Sequence, residues 1–254
     1  MLFTFMLLRF LLLTIISTSA QAETIRIRAD EWFPMNGDPL SKTPGYMIDL
    51  AKAIFEPHGH QINYQIMPWK RAIAETRAGN SDCVVGAIKN EAPDFLYPKN
   101  NWGVDQAAIY VFAKEQWRYD GQLSSLIPRK TGVILGYFYG KVLDQYFKAH
   151  SGDAFEFVSA DQPLKQNIRK LLSGRLSGII ETISVMDAQL KFSSLSEKIV
   201  FAGPVGERSL LYIGCSPNNI NSPKYIELID KAMPELRRNG ELQKILNPYG
   251  LSLW

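Results

Sequence analysis

Along most of the chain, apolar positions switch between the alternation of a strand and the i, i+3, i+4 spacing of a helix. Thr24–Ala29 alternates and reads as a strand. After Gly45-Tyr46, the residues Met47, Ile48, Leu50, Ala51, Ile54 and Phe55 form one helical face, with Asp49, Lys52 and Glu56 opposite. Pro57 and Gly59 stop that helix. The cycle repeats as strand Gln61–Ile66, helix Trp69–Ala78 and strand Cys83–Ala87. It resumes as strand Gly132–Leu135, helix Lys141–Ala149, strand Glu156–Ser159, helix Pro163–Leu172 and strand Gly178–Glu181. Strands alternating with helices predict an α/β protein built on parallel sheets with crossover helices.

Two longer apolar strands break the rhythm, one within Gln106–Lys114 and one at Arg208–Ile213. After the second come only helices, Ser222–Arg238 and Glu241–Leu246. Those helices need a sheet to cover, and the first series offers one. Residues 23–111 with 207–254 are therefore expected to form one discontinuous lobe, and residues 112–206 the other. The chain then crosses between lobes twice, making a two-strand hinge with a cleft beside it.

Residues 1–22 are nearly all apolar, carry Arg9 alone among charges, and end Ser19-Ala20-Gln21-Ala22. That is the pattern of a cleaved signal peptide, so export to the periplasm is expected. The net charge of +3 falls to +2 without Arg9, too little to argue for nucleic acid or an anionic membrane. Cys83 and Cys215 are the only cysteines. In the expected topology Cys83 starts its strand and Cys215 ends an antiparallel one, so both lie at the pole away from the cleft, which makes them a candidate disulfide; two buried thiols are the alternative. His58 and His60 lie in a helix-terminating turn without nearby cysteines or clustered carboxylates, so no metal is expected. No nucleotide fingerprint or nucleophile elbow occurs, so neither a cofactor nor a catalytic residue is expected.

Several segments together resemble the bacterial extracellular solute-binding proteins of family 3, the polar amino acid type. They are Trp32-Phe33-Pro34, Gly45–Leu50, Pro68–Ala72, Gly79–Asp82, Leu172–Arg175 and Leu236–Leu242. The resemblance covers Thr24–Trp254 and implies a two-lobed type II clamshell, each lobe a mainly parallel sheet flanked by helices. It implies closure on an amino acid or related small polar solute, with a membrane permease complex as partner in ABC-type uptake; a monomer is expected. Members that bind α-amino acids usually carry an arginine for the carboxylate shortly after the third strand, where this chain has Ala92. They usually carry an aspartate for the ammonium where this chain has Thr182, preceded by Glu181.

The candidate binding residues stand where strands hand over to helices, the place where open α/β sheets bind ligands. Trp32, Phe33 and Trp69 offer flat apolar walls, or pack beneath their loops. Tyr46 donates its hydroxyl or packs in the core. Arg71 is a carboxylate clamp or a solvated helix charge, and Lys89 is the nearest cation to the absent arginine or an exposed loop residue. Tyr137 and Tyr139, within Gly136–Gly140, are placed to stack on a ring or a cationic head. Glu181 is placed to pair with an ammonium, and Thr182 to add a hydroxyl or to cap the next helix. The expected function is non-enzymatic capture of a small polar, amino-acid-like solute, aromatic or cationic. The alternatives are a dehydratase-like periplasmic enzyme using Glu181 and Lys89, and a ligand-sensing subunit of a membrane receptor.

Overall fold

The computed structural model describes residues 23–160 and 162–254. The leader expected at residues 1–22 lies outside the described residues. The first half of the chain lays down β1 (Thr24–Ala29), α1 (Tyr46–Phe55), β2 (Gln61–Ile66), α2 (Trp69–Arg77), β3 (Cys83–Ala87), β4 (Gly103–Asp105) and β5 (Ala107–Phe112). Then follow β6 (Thr131–Ile134), α3 (Lys141–Ala149), β7 (Phe155–Val158), α4 (Pro163–Leu172), β8 (Gly178–Thr182) and α5 (Ile183–Ser193). The chain ends with β9 (Ile199–Pro204), β10 (Ser209–Cys215), α6 (Ser222–Arg238) and α7 (Glu241–Leu246).

These elements form two five-stranded mixed sheets, ordered β2-β1-β3-β10-β4 and β7-β6-β8-β5-β9. In each, three parallel strands joined by crossover helices are extended by antiparallel strands. The chain passes between sheets at two adjacent places, Gln106 and residues 205–208. Gln106 ties the two crossings together, its Nε2 donating to the Gly206 carbonyl at 3.0 Å. The Val205 N–H donates to the Ala107 carbonyl at 2.8 Å.

The first crossing falls earlier than the sequence boundary at 111/112, because β5 pairs throughout with β8 and β9 of the second sheet. The crossing falls at the polar step Asp105-Gln106, ahead of the apolar strand rather than after it. Strand β9 and helix α5 also escape the sequence pattern. The first is an edge strand ending in Gly203-Pro204, where a missing N–H is tolerated, and the second lacks a clean apolar stripe.

Strand β10 runs antiparallel to β3 with Cys215 opposite Cys83, and a disulfide joins them. It lies at the amino end of β3, the pole opposite the cleft between the lobes. The core of the first lobe forms where α1, α6 and α7 cover the sheet, around Ile27, Leu50, Phe55, Tyr225 and Ile229. A second cluster, including Val133, Phe147, Phe155 and Ile180, supports the other lobe.

Candidate functional site

The carboxyl ends of the parallel strands from both lobes converge on one cavity. In the first lobe, β1 runs straight into Asp30, whose side chain is buried, and on to Trp32. The turn after it folds tightly, with the Trp32 N–H donating to the Asn36 carbonyl at 2.7 Å. Asn36 in turn donates from Nδ2 to the Asp30 carbonyl at 2.5 Å. The Trp32 ring lies flat on Gly86 of β3, where a Cβ would stand 3.1 Å from ring atoms. Gly86 also has φ +82°, so both the backbone and the close approach demand glycine. Trp69 opens α2 and donates from Nε1 to Glu91 Oε1 at 2.5 Å.

The second lobe contributes the loop after β6 and the end of β8. Tyr139 accepts from the Ile134 N–H at 2.9 Å, which fixes its ring, and Tyr137 and Phe138 stand beside it on the wall. Glu181 is 2% exposed. Its Oε1 accepts from Trp32 Nε1 at 3.2 Å and from the Thr182 N–H at 2.8 Å and hydroxyl at 3.2 Å. Its Oε2 is buried without a hydrogen-bond partner.

The lobes are shut on one another. Besides the Trp32–Glu181 bond, the Tyr137 hydroxyl donates to Asp30 Oδ2 at 2.5 Å across the cleft. At the rim Glu31 meets Gln162 at 2.9 Å and Lys165 at 3.1 Å. Near the hinge the Ser184 hydroxyl donates to Asp105.

The electrostatics of this cavity are one-sided. Its walls carry five carboxyl groups, Asp30, Glu91, Asp105, Glu181 and Glu207, and five rings, Trp32, Trp69, Tyr137, Phe138 and Tyr139, with no lysine, arginine or histidine among the lining residues. Burial dominates the titration of the enclosed acids. It pushes Asp30 up to about 6, against the opposing bond from Tyr137. It pushes Glu91 up to about 7, against the bond from Trp69, and Glu181 up to about 7, against the bonds from Thr182 and Trp32. Asp105 is raised by burial too, and its bond from Ser184 works the other way. Burial holds Tyr137 and Tyr139 well above the usual phenol range, so both remain hydrogen-bond donors.

Of the residues singled out from the sequence, Trp32, Trp69, Tyr137, Tyr139, Glu181 and Thr182 meet at this cavity. Four others do not line it. Phe33 points away along the loop and packs on Tyr249, ring centroids 5.8 Å apart. Tyr46 is a core residue, because the carboxyl-terminal tail folds back over it and sets Tyr249 and Trp254 against its ring at 6.3 and 6.2 Å. Arg71 lies on the exposed face of α2, 3.8 Å from Glu75 one turn on. Lys89 turns outward, its ammonium 4.3 Å from the Tyr212 ring centroid and 3.4 Å from the Pro98 carbonyl. Lys89 and Glu181 are therefore not brought together as the acid–base pair that an enzyme reading needs. Ala92 is wholly buried.

Sequence reasoning missed Asp30, Glu91 and Asp105. Asp30 carried a usable signal, since it follows β1 directly, as Trp32 nearly does. Glu91 lies on the loop after β3, two residues beyond Lys89.

Two mixed sheets, two paired crossings and a cleft at the strands' carboxyl ends make the two-lobed fold of the periplasmic binding proteins. No protein-family model matches the chain, and no curated protein does. Among solved structures, an ancestral arginine-binding protein bound to arginine is 22% identical, with 89% of this chain and 97% of that chain covered and a TM-score of 0.74. A structure tied to glutathione import via GshT and the cystine ABC importer TcyBC of Streptococcus mutans is 17% identical, with 90% and 95% covered and a TM-score of 0.75. The ancestral amino acid-binding protein AncCDT-1, a precursor of cyclohexadienyl dehydratase, is 16% identical, with 89% and 95% covered and a TM-score of 0.69. At these identities the likeness is one of fold.

Proposed function

We propose that this protein is a solute-binding protein whose lobes close over a small organic cation. The observation that carries the reading is the cavity wall itself, carboxyl groups and rings with no basic side chain. A buried carboxylate without a counter-charge is costly, and an aromatic face attracts a cation most strongly once water is excluded. A positive guest answers both needs. An anionic guest would meet neither a bidentate arginine nor a lysine. That at least one protein of this fold holds arginine accords with a positive guest. The cargo reading places the protein in the periplasm, handing its guest to a membrane permease.

The test is calorimetry at pH 8 against a panel of small amines, guanidines and quaternary ammonium ions, with neutral and acidic amino acids as controls. Saturable binding confined to the cations is expected, with the guest recovered unchanged after incubation. Tight binding of acidic or neutral solutes only would overturn the reading, and turnover of the guest would replace capture by catalysis. At a hundredfold excess over Kd, the guest should stabilise the fold by about 2.7 kcal/mol.

A further inference from the structure

The acids in the cavity are not equally committed. Asp30 accepts the Tyr137 hydroxyl, and Asp105 accepts the Ser184 hydroxyl and the Gln106 N–H. Glu181 and Glu91 differ from these in a shared way. Each is held through one oxygen by the indole N–H of a tryptophan from the first lobe, Trp32 for Glu181 and Trp69 for Glu91. Like Asp30 and Asp105, neither belongs to an ion pair among the described residues; Oε1 of Glu181 also accepts from Thr182, and its Oε2 is buried with no partner at all. One of these carboxyl groups comes from each lobe, and both line the one cavity that the five rings also line.

From this arrangement we propose that the guest carries two positive charges and no carboxylate: a linear aliphatic diamine with one ammonium on Glu181 and the other on Glu91. The inference rests on the cation reading above and extends it. A monocation would neutralise one carboxylate and leave the other enclosed without a counter-charge as the lobes shut, or force it to hold a proton. Two ammonium groups satisfy both, and the methylene chain between them lies against the tryptophan and tyrosine rings. A carboxylate on the guest would find no basic partner on the wall, which sets a diamine apart from a basic amino acid of similar length.

The experiment is calorimetry at pH 8 with α,ω-diamines of three to six carbons, n-alkylamines of the same lengths, and lysine and arginine. The best diamine is expected to bind at least about tenfold more tightly than the monoamine of its length and than either amino acid, an increment at the level of one charge pair. Glu181→Gln and Glu91→Gln each preserve shape and should each erase most of that advantage, bringing the diamine down to the affinity of the monoamine of its length measured on the same variant. Thermal unfolding of both variants confirms that the fold is intact. Equal affinity for monoamine and diamine would overturn the dication and leave the cation reading standing, as would tighter binding of lysine or arginine. Failure of every cation to bind would overturn both.

Discussion

The side chains of the cavity set its pH behaviour. Asp30, Glu91 and Glu181 titrate at about 6, 7 and 7 because burial disfavours their charge. A cationic guest interacts with the ionised forms and draws these values down. Affinity is therefore expected to climb as pH rises from 5 to 8, and binding near pH 6.5 should release protons. Calorimetry in two buffers of different ionisation enthalpy measures that release directly, and a pH-independent Kd would contradict it. Gly86→Ala is the sharpest steric test. The new methyl would sit 3.1 Å from the Trp32 ring at a backbone angle unsuited to it. It should lift the ring off the wall, weaken the guest by at least about tenfold, and cost about 1–3 kcal/mol in a denaturant melt. The sequence revealed the rings and Glu181 because they stand beside strand ends. It concealed the outward turn of Lys89, which is set by Tyr212 and the Pro98 carbonyl far along or across the fold.

Among the elements, most strands and helices could be read from apolar spacing, since each buries one face against a sheet. What failed was short or at an edge: the three-residue β4, the edge strand β9, and α5 with its weak stripe. Missing β4 hid Asp105 and shifted the lobe boundary. Phe33 and Tyr46 were misplaced for a different reason. Their partners, Tyr249 and Trp254, come from the far end of the chain, and nothing local signals that docking. The pairing of β3 with β10 joins the ends of a long segment, and the Cys83–Cys215 disulfide closes a loop with a sequence separation of 132 around the entire second lobe. Replacing both cysteines by alanine should lower stability by about 2–5 kcal/mol in a denaturant titration. The bridge lies at the pole opposite the cleft, so the Kd for the guest should stay within about twofold. A large loss of affinity would show that the pole and the cleft are coupled.

For the whole molecule, the same carboxyl groups govern whether the lobes stay shut. Closure is supported by the Tyr137–Asp30 and Trp32–Glu181 bonds and by Glu31 at the rim. It is opposed by the burial of Asp30, Glu91 and Glu181 in one cavity once they ionise. Each of these groups has a folded-state pKa above its ordinary value, so its contribution to stability is complete below about pH 4 and is lost as pH rises through 6 to 7. Above pH 7 the empty protein can relieve that penalty without unfolding, by opening at the paired crossings and returning the carboxylates to water. A guest that touches both lobes only when they are shut reverses the balance through its differential affinity for the closed form. Driving the population from almost all open to almost all closed takes about 10⁴-fold in that difference. Small-angle scattering of the empty protein should thus show a larger radius of gyration at pH 8 than at pH 5.5, and a cationic guest at pH 8 should restore the compact value. Tyr137→Phe removes one bond from the closed form alone and should keep the empty protein more open at pH 5.5 as well. A radius unchanged by acid, by guest and by this substitution would mean that the cavity's charge does not control the hinge.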